Sequence, residues 1–370
     1  MKRREFITLL GGAAAWPLAA RAQQAERVRR IGVLMTTAAD DPESLARVGA
    51  FLQGLQELGW TDGRNVRLEY RWGSGDAERI RKYAAELVAL APDVILVSGT
   101  SGLVPLHRET RTLSIVFVNA SDPVGGGFVA SLARPGGNAT GFASIEYGMS
   151  GKWLELLKQI SPGVSRAAVV RDPSIPSGSG QLGAIQAVGP FLGVEVSPID
   201  ARDAGEIERG VTDLARSANG GLIVPASTPA IFHRKLIIAL AARHRLPAIY
   251  PYRFFVADGG LVSYGADSVD SFRRAAGYVD RILKGEKPAD LPVQMLAGSV
   301  CERFQGRQCS NQARSGRPPR MLRTIRLCRS PPKRFTGLFA LTEPSKMTAS
   351  PAVAEMARRL SSEGPKCRRP

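Results

Sequence analysis

The sequence predicts an α/β protein built as two doubly wound, Rossmann-like lobes joined by a hinge, followed by an irregular basic tail. Three observations carry this. Apolar strand patterns alternate with amphipathic helix patterns from residue 30 to residue 284. The alternation runs twice, divided by the glycine- and proline-rich stretch 121–141. It then stops near residue 295. Strand–helix alternation implies parallel sheets covered by helices on both faces.

The elements follow in order. Residues 30–36 (RIGVLMT) read as a buried strand. Residues 42–58 carry Leu45, Val48, Leu52, Leu55 and Leu58 at helical spacing, and Gly59 supplies the stop. Residues 65–71 alternate Val66, Leu68 and Tyr70, which is a strand pattern, and Asp76 is placed to cap a helix over 77–90. Strands at 94–97 and 115–118 enclose a short helix at 101–110. After residue 150 the rhythm repeats. Helices are expected at 151–160, 181–191, 203–217, 228–243 and 267–284. Strands are expected at 167–170, 194–196, 222–224, 248–250 and 260–264. The lobes are drawn as 28–143 with about 262–290, and 144–261, and no internal repeat marks them as homologous halves.

The ends of the chain differ from its body. Residues 1–22 have a basic start (Lys2, Arg3, Arg4), an apolar run to Ala20 and the cleavage pattern Ala20-Arg21-Ala22. This is the plan of a signal peptide, with an apolar core too short to span a membrane. The pair Arg3-Arg4 before Glu5-Phe6-Ile7 points to the twin-arginine route. The net charge of +17 resembles that of a nucleic-acid-binding protein, but residues 295–370 hold 16 Lys+Arg against 4 Asp+Glu, and the signal segment adds +3. The body at 23–294 is left at +2, with no basic footprint for DNA or RNA. All four cysteines (Cys301, Cys309, Cys328, Cys367) lie in the tail. An exported body without cysteine must be stabilised by its core rather than by disulfides.

In doubly wound sheets, ligands sit beyond the carboxyl ends of strands. The residues there are Thr36, Ser98, Thr100, Asn119, Ser121, Asp122, Asp172, Ser227, Tyr250, Tyr264 and Asp267. Hydroxyls, amides and carboxylates suit hydrogen bonding to a small organic solute, although any single Ser, Thr or Asp could equally be a helix cap. Enzyme chemistries find no support. Strand one is followed by TTAADDPES, not a dinucleotide-binding glycine loop, and no nucleophile elbow is present. His107, His233 and His244 have no ligand-spaced partners for a metal. The expectation is therefore no catalytic residue, no metal and no cofactor.

The stretch SDPVGGGFVASLARPGGNATGF at 121–142 resembles a hallmark segment of the periplasmic substrate-binding proteins of ABC importers related to tryptophan/tyrosine uptake. RIGVLM, GLQELGWTDGRNVRLEYRW, GKWLELLKQISP, GGLVSYGAD and ILKGEKPADLPVQ agree with it, so the resemblance covers about 28–294. It implies a type I periplasmic-binding-protein-like fold that traps a solute, an amino acid or a related molecule, by hinge closure. It also implies a monomer that docks on an inner-membrane ABC permease from the periplasm and has no nucleic-acid partner. On this resemblance Ser98, Thr100, Asn119 and Asp122 line the first lobe's side of the cleft. Asp172, Ser227, Tyr250 and Asp267 lie toward the second lobe and hinge. A ligand sensor paired with a membrane receptor is the alternative on the same fold.

From Met295 the family pattern fails while Arg, Pro, Ser and Cys rise together, as out-of-frame translation would produce. A basic arm for nucleic acid or anionic lipid is the competing reading of this stretch. Losing the family's last strand and helix is expected to leave an open sheet edge in the second lobe and to lower stability.

Overall fold

The structure, a computed structural model, describes residues 28–296 and 298–302. The signal segment and the tail beyond residue 302 lie outside the described residues. The first sheet is built from β1 (Arg29–Met35), β2 (Val66–Trp72), β3 (Val94–Ser98), β4 (Ile115–Ser121), β5 (Ala139–Ile145) and β11 (Gln294–Met295), in the order β11-β5-β4-β3-β1-β2. All its pairings are parallel. The second contains β6 (Arg166–Arg171), β7 (Glu195–Asp200), β8 (Gly220–Ile223), β9 (Ala248–Tyr250), β10 (Val262–Gly265) and β12 (Ser299–Glu302), in the order β12-β10-β9-β8-β6-β7. Only β12 runs antiparallel in that sheet. Each lobe thus places its second strand at the edge, then its first, third, fourth and fifth. This doubling of topology was invisible as a repeat in the sequence.

Helices cover both faces of each sheet. In the first lobe, α1 (Pro42–Glu57) and α10 (Ser268–Leu283) share a core with β1 and β4 through Phe51, Leu55, Phe272 and Val279. α2 (Ala77–Ala89) and α3 (Gly99–Glu109) close the other face through Ala84, Leu87, Leu103 and Leu106. In the second lobe, α4 (Gly151–Ile160) and α5 (Pro176–Leu192) cover one face through Trp153, Leu157 and Ile185. α6 (Ala204–Arg216), α7 (Thr228–Phe232), α8 (Arg234–Arg243) and α9 (Arg253–Ala257) cover the other. Each fully buried Leu, Ile or Phe contributes about 1.5–3 kcal/mol from removal of its surface from water. Caps fix the helix starts: Asp41, Asp76, Asp203 and Asp267 accept from first-turn N–H groups of α1, α2, α6 and α10.

Among the described residues, three segments cross between the lobes: residues 145–151, residues 265–268, and the passage from Met295 at the end of β11 to Ser299 at the start of β12. Trp153 Nε1 donates to Tyr264 O at 2.9 Å and ties α4 to β10 beside the first two crossings. Four features depart from the sequence reading. β5 lies inside and just beyond the glycine-rich divider, where its small residues (ATGFASI) gave no strand pattern. The helix expected at 228–243 is interrupted at His233, which separates α7 from α8. β10 pairs with β9, so the return to the first lobe falls after Gly265 and not near residue 262. Met295 completes β11, and β12 pairs with β10, so the edge expected to be open is occupied by a short strand.

Candidate functional site

In a doubly wound sheet the crevice opens where strand order reverses, between the first and third strands. In the first lobe that point lies between β1 and β3, and in the second between β6 and β8. The two face one another. The gap between them is lined from the first lobe by Thr36, Arg47, Ser98–Ser101 and Asn119, and from the second by Ile175, Ala226–Thr228, Ile231 and Tyr252.

Each first-lobe residue has a local reason to be there. Gly99 turns the chain from β3 into α3 at φ +73°, a conformation that other residues adopt only with strain. The turn leaves the first N–H groups of α3 open to the gap, since Ser98 makes no side-chain cap. Asn119 sits at a register shift between β4 and β5 with φ +58°. A bulge re-aims a side chain, and Asn tolerates the left-handed region better than most residues. Asn119 is 6 % exposed, and neither its Oδ1 nor its Nδ2 has a hydrogen-bond partner. Arg47, on the inner face of α1, is 2 % exposed; its Nη2 and Nε make no hydrogen bond, and Nε is held only by an ion pair with Glu43. Its nearest acid is Glu43, 3.4 Å from Nε, and the Oε1 of Glu43 already accepts from Ser268 Oγ at 2.6 Å. The guanidinium lies over Tyr252 and Phe254 of the opposite lobe, at 5.9 and 5.4 Å from the ring centres. Buried donors and acceptors without partners are rare and costly, and two such groups on one gap mark a place built to be completed by something else.

The lobes touch beside this gap. Arg234 of α8 meets Asp41, the cap of α1, at 2.6 Å and Asp258 of its own lobe at 2.8 Å. The Phe232 ring lies directly against Gly75. The space left in the gap is about 20 Å³, room for one water molecule and not for a solute. A second, more apolar cavity of about 180 Å³ lies at the crossings, among Ile145, Met149, Trp153, Tyr264 and Leu296. Ala226 and Tyr252 stand between the two spaces and line both.

The residues singled out in the sequence divide accordingly. Thr36, Ser98, Thr100, Asn119 and Ser227 line the gap. Ser121 lies behind it, its N–H donating to Thr100 Oγ1 at 3.0 Å. Asp122 accepts from Gly125 N and Tyr147 N, Asp172 from Ser174 N and Oγ, and Asp267 caps α10 and pairs with Arg253. These carboxylates shape turns. Tyr250 is turned into the second lobe's core, stacked on Phe255 at 5.3 Å, and Tyr264 lines the cavity at the crossings. Desolvation by burial holds the Tyr250 and Tyr252 hydroxyls above their ordinary range. Arg47, Ile175, Ile231 and Tyr252 were missed. The signal for Arg47 was its place between Ser44, Val48 and Phe51 on the buried face of α1.

Two α/β lobes with matching strand order, three crossings and a polar gap between strand ends define a hinged binding protein of the type I periplasmic kind. Residues 31–300 match the family described as ABC transporter substrate binding protein, and the chain belongs to that family. It is similar to a tyrosine-binding protein of Clostridioides difficile, at 24 % identity over 66 % of this chain and 70 % of that one. Among solved structures it is similar to a conserved domain protein from Vibrio cholerae (23 % identity, TM-score 0.68, 75 % of this chain and 92 % of that one). It is also similar to an ABC domain from Streptococcus pneumonia in complex with L-Trp (24 % identity, TM-score 0.67, 74 % and 91 %). The family is described by substrate binding and not by a reaction. Among the described residues no helix is long and apolar enough to cross a membrane.

Proposed function

We propose that this protein is the solute-capturing component of an ABC importer, exported to the periplasm, that closes around one small organic molecule and passes it to an inner-membrane permease. It works as a monomer, without cofactor, nucleic-acid partner or chemistry of its own. The observation that carries the reading is the pair Arg47 and Asn119: both buried, both with open hydrogen-bonding atoms, both on the gap between the lobes. A solute that satisfies them while the gap shuts binds the closed state better than the open one, which is all that ligand-driven closure requires. Ile175, Ile231 and Tyr252 give the solute's body an apolar wall. Tyrosine and L-Trp on two relatives put amino acids and related molecules first among candidates.

The test is a thermal-shift screen of the full exported chain against amino acids, organic acids, amides, purines and sugars. A solute at about 100–1,000 times its Kd adds about 3–4 kcal/mol, several degrees in Tm for a chain of this size. A cooperative melt that no compound moves, with no small-angle scattering change on addition of any of them, speaks against a binding protein.

A further inference from the structure

Resting on the reading that the gap captures a solute, but departing from the amino acids that the relatives put first, we propose that the captured solute is an organic anion: a carboxylate with an apolar body and without an ammonium group. The proposal comes from an account of charge around the gap. On its positive side are the guanidinium of Arg47, whose Nε leans on Glu43 at 3.4 Å while Nη2 has no hydrogen-bond partner, and the uncapped first turn of α3, an eleven-residue helix whose N–H groups favour negative charge. The amide of Asn119 is open as well and can donate to the same carboxylate. A planar guanidinium is suited to two-point recognition of a carboxylate.

On the negative side the acids stand back from the gap: Glu43 lies behind Arg47, and Glu146 lines the neighbouring cavity beyond Ala226 and Tyr252. Among the described residues that line it there is no Asp or Glu. The acids nearest in the chain are committed elsewhere. Asp41 caps α1 and pairs with Arg234. Glu43 lies behind Arg47 and accepts from Ser268. Asp122 and Asp172 hold backbone turns. An α-ammonium carried into this closed gap would leave water without meeting a carboxylate, a cost that hydroxyls and carbonyls repay only in part. The wall of Ile175, Ile231 and Tyr252 accepts the rest of the molecule.

Matched series decide the matter: 3-phenylpropionate, phenylalanine and 3-phenylpropionamide, then indole-3-propionate, tryptophan and indole-3-propionamide, each titrated calorimetrically into the full chain. The expected result is that in at least one series the acid binds tenfold or more tighter than both the amino acid and the amide. Arg47→Gln should then weaken the acid at least tenfold while the Tm of the free protein is kept. An amino acid or an amide that binds as tightly as its acid overturns the proposal, on the wild-type chain alone and whatever the variant does. So does a protein that none of the acids moves. If a sugar or purine binds in that case, capture of a solute stands and only its charge class falls. If nothing in the wider screen binds, both fall together.

Discussion

The contact between Asp41 and Arg234 should act as the latch of the closed state, and its removal should weaken solute binding without harming either lobe. The two side chains meet at 2.6 Å, come from opposite lobes, and are 11 % and 13 % exposed. A hydrogen bond between charged, largely desolvated partners contributes about 1.5–3 kcal/mol net. That contribution exists only when the lobes touch, because Arg234 keeps Asp258 in its own lobe in either state. Asp41 does two jobs with two oxygens: Oδ1 caps Ser44 N at 3.1 Å while Oδ2 takes Arg234. Asp41→Asn is therefore the clean perturbation, since Asn caps a helix about as well as Asp and carries no charge. Loss of about 1.5–2 kcal/mol from the closed state alone is roughly a ten- to thirtyfold rise in Kd, provided the free protein is mainly open. The assay is a double-mutant cycle on Kd and dissociation rate with Asp41→Asn, Arg234→Gln and the pair. The double variant should lose little more than either single one, with the change mainly in the dissociation rate. A coupling energy near zero, or a lower Tm with Kd unchanged, would refute the latch and make the contact a structural one.

Other expectations follow from the same geometry. Asn119→Gly keeps the positive φ and removes the unbonded amide, so thermal stability should hold or rise in calorimetry while solute affinity falls about tenfold or more. Tyr250→Ala should cost about 3–5 kcal/mol in urea denaturation, because it empties a buried site stacked on Phe255. Tyr250→Phe should leave solute affinity within a factor of about two, and a large loss would return Tyr250 to the gap. Stability should decline above about pH 10. Burial, with Asp122 adding repulsion, pushes the Tyr147 hydroxyl up to about 12, and desolvation raises Tyr70, Tyr250 and Tyr252 as well. Folded tyrosines then keep protons that the unfolded chain has released, so the stabilisation present below pH 10 is lost as pH rises toward the folded values. The slope is about 1.4 kcal/mol per pH unit for each such group. Denaturation curves from pH 8 upward, with phenolate absorbance alongside, check this, and a flat profile contradicts it.

The architecture was legible because parallel strands buried on both faces read as short apolar runs, and nine of the twelve strands among the described residues carried such runs or an alternation, β5, β11 and β12 being the exceptions. The site was legible by halves. Thr36, Ser98, Thr100, Asn119 and Ser227 follow from the rule that ligands meet strand ends, which needs no side-chain detail. Arg47 was not legible, because the leucine stripe overlaps the buried face of the helix only in part, chiefly at Val48 and Leu55. Leu45, Val48, Leu52, Leu55 and Leu58 form a stripe, yet Leu58 is exposed and the buried residues are Ser44, Arg47, Val48, Ala50, Phe51, Gly54 and Leu55. A helix wedged between a sheet and the opposite lobe buries a face chosen by both, and single-helix periodicity registers only the first. The three aspartates were over-read for the opposite reason. After a strand, Asp serves a turn or a cap as readily as a solute, and here backbone N–H groups claimed each one.

Arg47 carries two roles that a binding cycle must trade against each other. Stacked on Tyr252 and Phe254 it is part of the seam between the lobes, yet its unbonded nitrogens belong to whatever enters the gap. A gap of about 20 Å³ admits no solute, so entry requires the seam to part, Asp41 to leave Arg234 and Phe232 to leave Gly75. If those contacts were much stronger than the latch estimated above, the free protein would stay shut and apparent affinity would fall by the fraction that remains open. If they were absent, closure would rest on the solute alone. A latch of about 1.5–3 kcal/mol lies between these limits. It leaves the decisive increment to the solute, which supplies it by completing the hydrogen bonds that buried Arg47 and Asn119 leave open.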